Sequence, residues 1–321
     1  MNNRPIQRLR LWLEAAMLGA TIVIAASCAA HHAIDVKTSP NSRFSIQLEH
    51  SDHPGERESM EIISGDLNTV QTVWSGMQPT TQQYGQTYHL IADNYVFRTG
   101  ADGNATAARY HIRKLTVLKN GAEVDLLPGN TEISARIRDG ETHFTLGDSS
   151  PNAQALAALS VFIQLNAPGK SVNWDLALST AGLHRVGSCW PIDPAEMTKQ
   201  MNAWGFQLVP ADVSGTVRFV DVERFNDLPC IRLNADMKIA HDYFSPGTSS
   251  RDGYVSHVIN GSCHAHYEWL TPVDRKIDVQ WFDFSSDIYY FVSGNYGGRP
   301  YVQNCSQHWE QIGRLLPTTR P

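Results

Sequence analysis

From residue 43 onward the chain alternates apolar and polar positions in steps of two. Phe44, Ile46 and Leu48 alternate with Ser45, Gln47 and Glu49, as a strand with one buried face requires. Asn120-Gly121 separates the apolar runs 115–118 and 124–127, and Asp139-Gly140 separates Ile133, Ala135 and Ile137 from Phe144 and Leu146. Both dipeptides suit the positive φ angles of a two-residue hairpin turn. Asp102-Gly103 is a further candidate. Asn226-Asp227 stands between Val217, Phe219 and Val222 on one side and Cys230, Ile231 and Leu233 on the other. Asn260-Gly261 predicts one more hairpin, and residues 274–292 read as extended. Two helical patterns interrupt the strands. The first runs from about 151 to 165, capped by Ser150, with Leu156, Leu159 and Ile163 on one face. The second runs from about 194 to 204, with Asp193 as cap and Met197, Met201 and Trp204 on one side.

These elements predict a mainly β, α+β protein with long antiparallel, curved sheets and two or so helices, with two half-barrel-like halves as one arrangement. There is no βαβ alternation and no repeat of 20–50 residues, so doubly wound folds, propellers and solenoids are excluded. The expected division is 1–27 signal peptide, 28–42 tether, 43–180 N-terminal β-rich half and 181–321 C-terminal β-rich half. The strand and helix order resembles the half-barrel sheets of bacterial lipoprotein carriers. With its Gly187-Ser-Cys-Trp190-Pro191 segment, it also resembles uncharacterised exported β-rich bacterial proteins.

The first residues change the picture of where the chain works. Arg4, Arg8 and Arg10 precede a short apolar run, 15–27, that ends in Ser27-Cys28. The run is shorter than the roughly 20 residues of a spanning helix and fits a secretory signal. Ala25-Ala26-Ser27-Cys28 resembles a bacterial lipobox. That resemblance implies cleavage before Cys28 and lipid attachment (palmitate among the acyl groups) to its sulfur. The expected location is then the cell envelope, with the outer membrane favoured in a Gram-negative cell. Ordinary cleavage after Ala30 remains the alternative.

Removing residues 1–27 takes away three Arg and one Glu, so the formal charge of −6 becomes −8. Such a chain has no general attraction for nucleic acid. The cysteines beyond Cys28 are Cys189, Cys230, Cys263 and Cys305. An even set in an exported chain predicts two disulfides, here expected as Cys189–Cys230 and Cys263–Cys305, with buried free thiols as the alternative.

Catalytic signatures are absent: no nucleophile elbow, no phosphate-cradling Gly-rich loop with Lys, no His-Glu-x-x-His and no Cys-x-x-Cys. One constellation stands out. A two-residue turn at Asn260-Gly261 would set His257 opposite His264, with His266 on the same face. Three imidazoles so arranged could hold zinc, with a fourth position for water, and they resemble the metal arrangement of carbonic anhydrases. The other face of this segment carries Cys263, Ala265, Tyr267 and Trp269 and is the expected core side. The leading expectation is therefore a non-enzymatic envelope lipoprotein, without cofactor, that binds an apolar ligand or a protein partner. The alternatives are a structural or assembly role and a zinc-dependent hydrolase or hydratase at the histidines.

Overall fold

The structure, a computed structural model, describes residues 41–74, 79–119, 121–165, 173–203, 208–241, 249–251, 254–296 and 299–317. Cys28, the expected site of lipid attachment, and most of the expected tether lie outside these residues. The fold is mainly β and antiparallel, with three helices among the described residues. In chain order the elements are β1 (Phe44–Ser45), β2 (Arg57–Trp74), β3 (Pro79–Thr99), β4 (Ala105–Lys119), β5 (Ala122–Asp125), β6 (Thr131–Arg138), β7 (Glu141–Thr145), α1 (Ala153–Phe162), α2 (Trp174–Ala177), β8 (Leu183–His184), β9 (Cys189–Pro191), α3 (Pro194–Ala203), β10 (Val213–Phe225), β11 (Leu228–His241), β12 (Ser249–Arg251), β13 (Tyr254–Pro272), β14 (Gln280–Tyr296) and β15 (Arg299–Pro317).

One open sheet runs β7-β6-β4-β3-β2-β15-β14-β13-β11-β10-β9. Its order explains how the two halves join. The last strand, β15, returns to lie antiparallel beside the first long strand, β2, with Leu315 facing Met60 and Gln303 facing Val73. The sheet is therefore continuous across residue 180.

All three helices pack on one face of this sheet. On the N-terminal side Leu90, Ile112, Leu115 and Ile133 meet Ala155 and Leu159 of α1 in one core. On the C-terminal side Phe219, Ile231 and Leu233 meet Ala177 of α2 and Met197 of α3 in a second. Ile46 and Leu48, early in the chain, belong to this second core, and Phe44 sets its ring edge-on to Phe219 at 5.6 Å. The opposite face carries ion pairs, among them Arg314–Glu61 and Arg232–Glu268.

Local sequence chemistry accounts for several elements. Asp139 and Gly140 have φ of +52° and +79°, and Asn226 and Asp227 have +50° and +63°, the left-handed backbone that tight hairpins need. The cap of α1 is Asn152 and not Ser150: its Oδ1 accepts from Ala155 N at 2.8 Å, the expected N-cap bond. Asp193 caps α3 through Glu196 N at 3.0 Å. Met197 and Met201 are buried beneath it, while Trp204 lies outside the described residues.

Two expectations are overturned. First, Asn260-Gly261 is not a turn. β13 runs straight through it, with Asn260 beside Phe291 and Gly261 beside both Tyr290 and His241. A bulge between Val258 and Asn260 absorbs the irregularity, and pairing along the whole of β14 outweighs a local turn preference. Second, Cys189, Cys230, Cys263 and Cys305 are all free. Cys263 on β13 and Cys305 on β15 have β14 between them, and Cys189 on β9 and Cys230 on β11 have β10 between them. Two strand spacings make about 9.6 Å, beyond the Cα separation of about 7 Å that a disulfide can span.

Candidate functional site

The predicted histidine face exists, but not as a three-His site. His257 and His264 lie along one strand, seven residues apart, instead of opposing each other across a hairpin. At about 3.3 Å per residue they stand roughly 20 Å apart, so the three imidazoles do not meet. The side chain of His257 lies outside the described part of the structure. His264 is exposed, and His266 Nδ1 lies 2.9 Å from Asp236 Oδ1. Both share the outward face with His308 of β15, whose Nδ1 meets Asp287 Oδ1 at 2.7 Å and whose Nε2 meets Glu310 Oε1 at 3.1 Å. Burial works against the charged imidazole of His308, but the bonds to these two carboxylates outweigh it and raise its pKa. This is an outward-facing belt of histidines and acids, in which His266 and His308 are each engaged by a carboxylate. Sequence reading missed His308 because its partner Asp287 comes from another strand.

The core side of β13 is as expected. Ala265 is buried, and Cys263, Tyr267 and Trp269 pack against the C-terminal core. Tyr267 stacks on Trp269 with ring centroids 5.0 Å apart, and Phe284 of β14 meets Tyr267 at 4.5 Å. Trp174 of α2 leans on both Tyr267 and Trp269. Phe282 lies across Gly313 of β15, where a Cβ would collide with its ring. Register puts Phe282, Phe284 and Ile288 on this same helix-bearing face. Tyr267, Trp269, Phe282, Phe284 and Ile288 are half-buried, whereas the core positions named above on β4, β10 and β11 are fully buried. The middle of the sheet therefore presents an apolar, aromatic strip that the helices only partly cover.

Beside the strip runs a polar row. Ser64, Asp66, Thr69 and Ser286 are buried. Asp66 sits at a bulge of β2, where it accepts from the Thr69 hydroxyl and from Gln307 Nε2 at 2.9 Å. Its other oxygen is buried without a hydrogen-bond partner. Burial raises the pKa of its carboxyl, and the Thr69 bond only partly offsets this.

A third feature is acidic. Carboxylate oxygens of Glu56, Glu58 and Asp278 all lie within 4.8 Å of one another. Burial, then the charge of Asp278, pushes the Glu58 carboxyl up to about 8. Glu49 is pushed up to about 7, by burial first; its bond from Trp174 N opposes this, and the charges of Asp175, Asp52 and Asp278 add to it. Oxygen donors of this type suit hard cations rather than zinc.

No helix among the described residues is long and apolar enough to cross a membrane. No protein-family model matches the sequence, and no curated protein matches it. Among solved structures, the chain is similar to OmpTdeltaL8, a loop L8 deletion mutant of an outer membrane protein of Vibrio cholerae, at 10% identity over 81% of this chain and 99% of that one, with a TM-score of 0.18. P47 from Clostridium botulinum A2 aligns at 7% identity over 77% and 81%, with a TM-score of 0.16. At such scores neither similarity bears on the fold or the function of this chain.

Proposed function

We propose that the chain is an exported protein of a bacterial cell envelope, lipid-anchored at Cys28, whose body serves a non-enzymatic role by binding an elongated apolar ligand. The anchor rests on the signal pattern that ends at Ser27-Cys28. The binding role rests on one observation: Tyr267, Trp269, Phe282, Phe284 and Ile288 share the helix-bearing face and remain half-buried. Apolar surface left in water forgoes about 25 cal/mol per Å², and rigid aromatic rings lose little entropy when a ligand covers them. From Phe282 to Ile288 the strip runs roughly 20 Å along β14, the length of a long acyl chain.

The test is displacement of a fluorescent fatty acid from purified protein, with native mass spectrometry of material taken from membranes. Saturable binding that Phe284→Asp weakens about tenfold (about 1.4 kcal/mol) is expected. No acyl binding up to roughly 100 μM, a weak standard-state affinity of about −5.5 kcal/mol, would leave the structural or assembly role in its place. Intact mass of the same material reports the anchor. A diacylglyceryl adduct on a chain beginning at Cys28 is expected, and an unmodified chain beginning near residue 31 would remove the anchor from the reading.

A further inference from the structure

The hairpin of β2 and β3 reaches past its neighbour. β4, the next strand on the other side of β3, pairs no further than Leu118 beside Thr87 and ends at Lys119. β3 begins eight residues earlier, at Pro79, and is paired with β2 from there on, Pro79 beside Trp74 and Gln86 beside Asp66. Residues 79–86 therefore have a strand on one side only, among the described residues. At about 3.3 Å per residue they form an open edge of roughly 26 Å. Alternate residues of such an edge turn their N–H and C=O groups away from the strand they already pair with. Pro79, Thr80, Thr81, Gln82 and Gln83 are exposed.

Other edges of the sheet are guarded, and this one is not. Natural edges are kept from pairing with a second chain by shortness, charge, proline or a bulge. β7, at one end of the sheet, has five residues and carries Glu141. β9, at the other, has three and ends in Pro191. Where β10 extends beyond β9, it carries Asp221, Glu223 and Arg224 and a bulge after Phe219. From residue 67 to residue 88, by contrast, the chain has no Asp, Glu, Lys or Arg, in a protein that is 18% charged. The gap thus belongs to this hairpin and not to the composition. Its one proline, Pro79, stands at the first position of β3, where it leaves the rest of the edge able to pair.

We infer that this edge joins the same edge of a second copy of the chain, β3 beside β3 in antiparallel, so that two sheets become one. Three features favour a second copy over an unrelated strand. The overhang is equal in both copies, so in a two-fold arrangement each β2–β3 arm fills the place that β4 leaves beside the other. Centred on the overhang, the pairing sets Gln82 opposite Gln83 of the second copy, and Gln83 opposite its Gln82. A carboxamide both donates and accepts, so identical side chains satisfy one another. Finally, each copy carries a formal charge of −6. That charge opposes contact between copies and favours a meeting surface that has none.

Sedimentation velocity of the full chain, in one non-ionic detergent throughout, tests this. Reversible dimers are expected, half-formed between about 1 and 100 μM, the range of a modest contact. Gln82 and Gln83 are exposed, so substitutions there leave the fold in place, which circular dichroism checks. Gln82→Lys with Gln83→Lys sets lysine against lysine and should weaken dimerisation about tenfold. Gln82→Glu with Gln83→Glu should do the same. A one-to-one mixture of the two double variants should restore the dimer, because lysine then faces glutamate, and amide exchange across residues 80–86 should slow in it. A monomer at about 100 μM, a dimer that both double variants leave unchanged, or a mixture that stays monomeric overturns the inference.

Discussion

Asp66 illustrates how a single residue sets a pH dependence. Its carboxyl is buried on the helix-bearing face and its pKa lies above the ordinary carboxylate value. The folded state therefore holds this proton over a pH range in which the unfolded chain has released it. Stability from this group is complete below about pH 4 and declines as pH rises through the raised folded value. Asp66→Asn removes that decline. Unfolding by urea at pH 4, 5, 6 and 7 should give a flatter profile for the variant, and equal slopes for the two proteins would contradict the assignment. None of this was legible in the sequence, where Asp66 is one acid among thirty-two. Its burial is created by Thr69 across a bulge and by Gln307 from β15. The outward direction of His264 and His266 was legible, because strand alternation alone fixes it. The acidic cluster was not, because Asp278 is more than two hundred residues from Glu58.

Elements follow their local chemistry where the chain pairs with itself nearby. Asp139-Gly140 and Asn226-Asp227 are turns in sequence and in structure, since both hairpins close within a few residues. Asn260-Gly261 has the same local preference and is overruled, because β13 is a central strand whose neighbours on both sides hold its backbone. The zinc expectation fell with that turn, since its geometry depended on the register the turn would have set. Helix α1 has no such competition. Replacing its cap, Asn152→Ala, should cost about 1 kcal/mol, measurable as a lowered urea midpoint with an unchanged slope. Gly65 in β2 is a stricter position. A Cβ there would stand 2.6 Å from the Gln86 carbonyl oxygen and 2.7 Å from Thr87 Cα, and both belong to the backbone. Gly65→Ala should therefore destabilise by about 1–3 kcal/mol. A loss below a few tenths would mean that β3 can shift away at this point.

At the scale of the whole molecule, the junction of β2 with β15 decides whether the two cores behave as one body. Each core has its own helices and its own buried side chains, so each could in principle open alone. Against this, β15 pairs with β2 from Pro317 beside Glu58 to Val302 beside Trp74, and Leu315 packs against the N-terminal core. Breaking that junction exposes backbone on both sides. Gly313 lies within it, opposite Ile62, with the Phe282 ring of β14 lying where a side chain would go. Gly313→Val would force that ring away and press on both neighbours of β15, at a cost of about 1–3 kcal/mol. If the sheet transmits the strain, amide exchange should quicken together in β3–β4 of one half and β10–β11 of the other, because local opening follows cooperative units and not the order of the chain. Acceleration confined to one half would make the cores independent. Joint acceleration would make the aromatic strip on β13 and β14 the centre of a single sheet, where a bound ligand would stabilise both halves at once.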